Sequence, residues 1–305
     1  IGVVLMLFLI GLELDPKHLW TMRRAVFRGG GLQMFACAAV SSGLLLALGL
    51  PWQAGVIAGC ALALSSTAVA MQTMAERNLI ATGVGGAAFA VLLFQDIAAI
   101  PLIALVPLLG EASAAPSGAP AWMGALSVVG AVAAVVVVGR FLTRPILRVI
   151  AKTRLREVFT AFTLLLVLGI AELMAAAGVS MALGAFLAGV LLAGSEYRHA
   201  LETDIEPFKG LLMGLFFIAV GMTIDFGLLA AQPALVALLV VGFQVAKGLT
   251  LRLVAGPLGV APTQRLLFAA LLCQGGEFAF VVFDVARSAQ VLPGAWDGLL
   301  TLAVA

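Results

Sequence analysis

Charge is what this sequence lacks most. Only 10% of its 305 residues are Asp, Glu, Lys or Arg, whereas 63% are hydrophobic and the mean hydropathy is +1.18. Soluble globular domains carry about 25% charged residues, so this composition excludes a soluble domain. Apolar runs long enough to cross a bilayer recur along the chain, and lipid offers the backbone no hydrogen-bond partners, so each run predicts a transmembrane helix. We therefore predict an all-α polytopic membrane protein.

Histidine, cysteine and tyrosine are also scarce, and each scarcity bears on a class of function. The two His residues lie in loops, and the three Cys residues lie within apolar runs without the close spacing of metal or disulfide sites. We therefore predict that the protein is not an enzyme and that no nucleic acid binds it. The single tyrosine, Tyr197, does not lie in a Gly-Tyr-Gly filter motif, which argues against a gated cation channel.

The apolar runs predict about ten complete spans and an eleventh that begins near Gly298. All but two of the 17 Lys and Arg residues fall in alternate loops, which predicts that those loops face the cytoplasm. Because the chain has no initial Met and stops inside an apolar run, we expect a piece of a longer protein. The predicted complete spans lie near residues 1–12, 30–50, 54–72, 84–109, 123–140, 158–177, 180–194, 210–224, 234–255 and 264–286.

Asp96 is the strongest candidate for a functional residue. It lies within the apolar run 84–109, where an ionisable side chain costs about 2.5 to 3.5 kcal/mol on insertion scales. A buried carboxylate can bind either a proton or a cation, and the two states exclude each other. The alternative is a carboxylate permanently paired to a neighbouring helix. The preceding Gln95 is either an ion ligand or a residue that holds Asp96 or a backbone carbonyl.

Two other spans contain helix-weakening residues at mid-depth. One carries Ser65, Ser66 and Thr67, and the other carries Gln274, two glycines and Glu277, on opposite sides of a basic linker. This arrangement is typical of inverted repeats with discontinuous helices, whose free carbonyls and helix dipoles bind ions at the midplane. Two alternatives stay open: the hydroxyls bond to their own helix, and Glu277 is either a structural residue or a second ion ligand.

Two further charged features have alternative interpretations. Lys247 lies in the middle of a span, where it either balances charge in the cavity of Asp96 or caps the carbonyls of a broken helix. The segment 196–209 places acidic residues on the otherwise basic cytoplasmic side. It is either a solvated loop or a docking surface for a regulatory partner, and its acidic residues are Glu202, Asp204 and Glu206.

Five motifs together resemble the Kef glutathione-regulated potassium efflux antiporters, a branch of the monovalent cation:proton antiporter-2 family. The resemblance implies a sodium/proton-antiporter-like fold with inverted repeats and two crossed discontinuous helices. It also implies a homodimer in the lipid bilayer of a bacterial inner membrane. The motifs are Gly11–Asp15, Ala63–Ala68, Ala90–Pro101, His199–Gly210 and Gln274–Val282.

The same resemblance divides the chain into a scaffold and a core that moves against it. The core transport domain is formed by 30–109, its first half, and 234–305, its second half. The scaffold includes a helix and cytoplasmic loop in 1–29 and the scaffold and dimerisation helices of 158–233, with the acidic regulatory loop 196–209. A linker helix and basic cytoplasmic loop occupy 110–157.

The resemblance finally implies K⁺ efflux in exchange for protons, with sodium/proton exchange as the alternative. K⁺ is then the substrate at Asp96, and no cofactor is expected within this chain. A C-terminal domain that binds nucleotide and glutathione would restrain transport through the acidic loop, and an ancillary cytoplasmic subunit is a further possible partner. We predict that Gln95, Ser65, Ser66 and Thr67 belong to the ion site with Asp96, and that Lys247, Gln274 and Glu277 support it.

Overall fold

The helices follow the apolar runs of the sequence. The computed structural model describes residues 2–13, 23–109, 130, 133, 156–176, 181–193, 195 and 198–304, and no strand occurs among them. The predicted span 123–140, except for residues 130 and 133, and most of the basic linker lie outside the described residues. The α-helices are α1 (Gly2–Glu13), α2 (Gly31–Ala47), α3 (Trp52–Ala63), α4 (Thr67–Glu76), α5 (Gly83–Leu105), α6 (Arg156–Ala176), α7 (Met181–Ala193), α8 (Arg198–Thr223), α9 (Phe226–Ala231), α10 (Pro233–Val254), α11 (Arg265–Leu272), α12 (Glu277–Ser288) and α13 (Gly294–Val304).

Several of these helices are long and apolar enough to cross a membrane. Four stretches within the described residues qualify by length and composition, and one bent pair of helices adds a fifth. The four are Ala25–Ala47, Trp52–Glu76, Gly83–Ile103 and Pro233–Val254, and the bent pair is Pro262–Leu272 with Glu277–Ser288. The first of them includes a π-helical turn, Ala25–Gly30, which leads directly into α2.

The chain divides into two compact units. The first comprises Ile1–His18 and Ser113–Val220 and contains α1, α6, α7 and nearly all of α8. Within it, α1 and α7 pack closely at Gly11 and Gly189, because a Cβ atom on either glycine would overlap backbone atoms of the other helix. Phe8 and Val167 belong to its buried core.

The second unit comprises Leu19–Ala112 and Gly221–Ala305. It contains the two spans in which helix breaks are predicted, and both breaks are present. One separates α3 from α4 at 64–66, and the other separates α11 from α12 at 273–276, where the two helices are bent by 47°. Buried apolar side chains, among them Met74, Val91 and Phe268, form the core of this unit.

The first break follows from an extended backbone and a local cap. Leu64 and Ser66 both have extended backbone angles, which end one helix and precede the next. The Ser66 hydroxyl accepts a hydrogen bond of 3.3 Å from the backbone N–H of Val69, so it caps the N-terminus of α4. At the second break, Gly276 is also extended, and no side chain caps the N-terminus of α12.

The prediction of an acidic loop at 196–209 is wrong from Arg198 onward. Helix α8 begins at Arg198 and continues to Thr223, through both the expected loop and the expected span 210–224. Leu201 and Ile205 are four residues apart and fully buried in the core of the first unit, so they anchor this turn of the helix. The acidic residues Glu202, Asp204 and Glu206 are therefore carried by a helix.

Candidate functional site

Asp96 lies beside the first helix break. Its carboxylate Oδ1 accepts a hydrogen bond of 3.0 Å from the hydroxyl of Thr67, the first residue of α4. Asp96 is half-buried and lies within α5. Its negative charge is thus placed next to the N-terminus of a half-helix, where the helix dipole favours an anion.

Gln95 is fully engaged with the same break. It is 1% exposed, and its Oε1 accepts from the backbone N–H of Ser65 at 2.9 Å. Its Nε2 donates to the carbonyl of Ala63 at 3.1 Å and to Oε1 of Gln33 at 2.8 Å. Both the donor and the acceptor of the Gln95 amide are therefore used to satisfy backbone groups that the break exposes. This is the geometry expected of a residue that holds a backbone carbonyl.

Gln33 is the residue of this network that the sequence interpretation missed. It is 0% exposed, lies on α2, and adds a longer contact of 3.4 Å from its Nε2 to the carbonyl of Ala63. The signal was available, because a lone amide within the apolar run 30–50 needs a buried partner. Its partner, Gln95, is distant in sequence and could not be identified from spacing.

The two breaks touch each other directly. The hydroxyl of Ser65 donates to the carbonyl of Leu272 at 2.7 Å, and Nε2 of Gln274 lies 3.5 Å from the carbonyl oxygen of Ser66. A Cβ atom on Gly276 would lie 2.8 Å from the backbone carbon and oxygen of Ser65. The backbone of one break thus lies against the other, which only glycine permits at this position.

Lys247 joins the two breaks. It lies on α10, is 4% exposed, and its ammonium donates to the carbonyl of Leu64 at 2.6 Å and to the carbonyl of Gln274 at 3.0 Å. Each carbonyl belongs to a different break. Of the two interpretations drawn from the sequence, these contacts match the lysine that caps broken-helix carbonyls.

Glu277 is buried at the first position of α12. A carboxylate in the first turn is favoured by the helix dipole. Within the part of the chain that the structure describes, no three His, Cys, Asp or Glu side chains come together as a metal site.

We expect Gly276→Ala to disrupt this site and Gly242→Ala to leave it intact. The added methyl group meets rigid backbone at 276, whereas at 242 nothing in the described part of the chain, apart from neighbouring backbone of the same helix, lies within 4 Å of a Cβ atom. Overpacking of this kind costs about 1 to 3 kcal/mol. Thermal unfolding in detergent should show a lower Tm for Gly276→Ala only, and equal Tm values for the two variants would contradict the close contact.

Comparisons with known proteins show the family to which this chain belongs. The family model described as "Sodium/hydrogen exchanger, transmembrane" matches residues 1–305. The chain therefore belongs to the sodium/hydrogen exchanger family. The predicted helical, sodium/proton-antiporter-like fold is supported by a solved structure, the sodium proton antiporter MjNhaP1 from Methanocaldococcus jannaschii at pH 8, with a TM-score of 0.65 at 16% identity over 99% of this chain and 78% of that chain.

Curated relatives agree with the resemblance seen in the motifs. The chain is 61% identical to the glutathione-regulated potassium-efflux system protein KefC of Cronobacter sakazakii, over 100% of this chain and 49% of that protein. It is 59% identical to the KefC protein of Salmonella paratyphi B over the same shares of the two chains. The chain thus spans about half the length of these relatives. The predicted resemblance to the Kef antiporters is confirmed, and the family is one of membrane-embedded transporters.

Proposed function

We propose that the protein exchanges K⁺ for protons across the bacterial inner membrane, with net K⁺ efflux. The observation that carries this proposal is the position of Asp96, a half-buried carboxylate bonded by Thr67 at a helix break in the middle of an apolar unit. One carboxylate that binds either a proton or a cation couples the two fluxes, because it must release one to accept the other. The names of the curated relatives, which are potassium-efflux proteins, favour K⁺ as the cation.

The transport cycle follows from the two-unit division. The unit that contains both breaks acts as the core, and the other unit acts as the scaffold that forms a homodimer. In this proposal the full protein has at least ten spans in inverted repeats. The core moves with its bound ion so that Asp96 opens to one side of the membrane at a time. Movement with an empty, unprotonated carboxylate is disfavoured, since it would carry a bare charge through lipid.

Regulation is assigned to parts of the protein beyond this chain. A cytoplasmic C-terminal domain that binds nucleotide and glutathione restrains transport, with an ancillary cytoplasmic subunit as a further partner. In this proposal the domain docks on the first part of α8, the segment that carries Glu202, Asp204 and Glu206. Two observations support this assignment: the relatives are glutathione-regulated, and the acidic residues are concentrated on the side of the membrane that is otherwise predicted to be basic.

An ion panel in vesicles tests the proposed function. The purified protein is reconstituted with a pH-sensitive dye inside, and K⁺, Rb⁺ or Na⁺ is added outside in turn. We expect proton efflux from the vesicles with K⁺ and Rb⁺ and at least about tenfold less with Na⁺, a selectivity of about 1.4 kcal/mol. A response to Na⁺ alone would establish sodium/proton exchange instead. Cation currents without proton movement would establish a channel.

A further inference from the structure

A cation site with one carboxylate needs neutral oxygens to complete it. Two side chains are candidates for this role, and the structure distinguishes between them. Gln95 is the nearer in sequence, since it directly precedes Asp96. Its Oε1 already accepts from the N–H of Ser65, and its Nε2 donates to Ala63 and Gln33. Gln95 therefore already holds backbone groups of the break with both its nitrogen and its oxygen, and only the second lone pair of that oxygen is left for an ion.

Gln274 is in the opposite situation. Its side-chain Oε1 is buried and has no hydrogen-bond partner within the part of the chain that the structure describes. The other buried side-chain atom in that condition, Ser195 Oγ, belongs to the other unit. A buried carbonyl oxygen without a donor is unfavourable unless something else, such as an ion, satisfies it.

Two contacts hold Gln274 at the site. Its backbone carbonyl accepts from the Lys247 ammonium at 3.0 Å, and its Nε2 lies 3.5 Å from the carbonyl oxygen of Ser66. The next residue after Ser66 is Thr67, whose hydroxyl bonds to Asp96. The carbonyl that faces the Gln274 amide thus belongs to the peptide bond between Ser66 and Thr67.

The orientation of this amide follows from the same contacts. With Nε2 toward Ser66, a donor faces a carbonyl oxygen. The reversed amide would place Oε1 against that oxygen, which is repulsive, and would leave an N–H₂ group buried without an acceptor. The unpartnered group is thus an oxygen, the atom type that binds a monovalent cation.

We infer that Gln274 Oε1 is a neutral ligand of the transported cation, and that Gln95 instead positions the break. This inference rests on the proposed function, since it names a ligand for the cation exchanged at Asp96. Amide oxygens replace part of the hydration shell of a large monovalent cation, as carbonyl oxygens do in potassium filters. Gln274 then sets the affinity for the cation while Asp96 supplies the charge.

Two substitutions at position 274 distinguish the role of the amide oxygen from the role of the amide nitrogen. Gln274→Glu keeps an oxygen at the ligand position and loses the N–H₂ group that faces Ser66. Gln274→Met removes both the oxygen and the N–H₂ group and replaces them with a side chain of similar volume. The matched control is Gln72→Met, because Gln72 is exposed and its amide donates to Glu76 of its own helix. The readouts are K⁺-dependent thermal stabilisation in detergent and the K⁺ dependence of proton flux in vesicles.

We expect Gln274→Met to raise about tenfold both the K⁺ concentration that gives a fixed rise in Tm and the K⁺ concentration at half-maximal flux, because one good ligand contact is lost. Gln274→Glu and Gln72→Met should bind K⁺ at least as well as wild type. Equal weakening in the Met and Glu variants would show that the N–H₂ contact matters and would overturn the inference, as would unchanged K⁺ binding in Gln274→Met. Failure of the proposed function gives a different result, namely a wild-type protein without K⁺-coupled proton flux.

Discussion

We expect the replacement of Asp96 with Asn to abolish proton-coupled K⁺ flux and to leave the protein folded. Asn cannot bind and release a proton, and it provides no charge for a cation, so both halves of the exchange are lost. Its Oδ1 can still accept the hydrogen bond from Thr67, which is 3.0 Å long in the structure. Proton flux driven by K⁺ in vesicles should fall to the level of vesicles without protein. The Tm in detergent should change by only a few degrees.

The matched control for this substitution is Asp225→Asn. Asp225 is exposed, and its Oδ1 accepts from the backbone N–H of Leu228 at 3.1 Å, as the N-cap of α9. Asn caps helices as well as Asp does, so the same chemical change is made without loss of a contact. Coupled flux that persists in Asp96→Asn would show that the mechanism does not require this carboxylate.

Replacing Lys247 with Met should destabilise the protein more than any other single change at the site. The substitution leaves the carbonyls of Leu64 and Gln274 without their donor in a buried place. Each unsatisfied carbonyl costs about 1 to 3 kcal/mol, partly offset because a buried charge is removed, so we expect a loss of about 2 to 5 kcal/mol. The measurement is thermal or denaturant unfolding in detergent, with Gln244→Met, an exposed position one turn earlier on α10, as the control.

A double substitution distinguishes the two interpretations of Lys247. If the ammonium caps the two breaks, Lys247→Met costs the same stability in wild type and in the Asp96→Asn background, because both carbonyls are present in each. If the ammonium instead balances the charge of Asp96, the cost should largely disappear once that charge is gone. Lys247→Arg, which keeps donors at the position, should lie between wild type and Lys247→Met.

The positions of the helix breaks were predictable from the sequence because local chemistry determines them. Ser65 to Thr67 and the glycines at 275 and 276 weaken a helix wherever they occur. Asp96 was equally visible, since an ionisable residue in an apolar run stands out. These predictions needed only residue type and depth.

The pairing of side chains across the site could not be predicted in this way. Gln33 meets Gln95, and Lys247 reaches two carbonyls, only because helices distant in sequence pack together. Backbone carbonyls are present at every residue, so no sequence pattern shows which ones remain free. The prediction of a loop in the acidic segment was wrong for another reason. The charges of the segment suggested a loop, but the spacing of Leu201 and Ile205 is that of a buried helix face.

The central claim is that a proton and K⁺ compete for one carboxylate, and K⁺ binding measured against pH tests it most directly. The wild-type protein is titrated with K⁺ in detergent at several pH values, with thermal stabilisation as the signal. In the acid range, the K⁺ concentration that gives a fixed rise in Tm should increase about tenfold for each unit of pH decrease, since one proton is displaced per ion. A K⁺ affinity that does not change with pH would contradict the account.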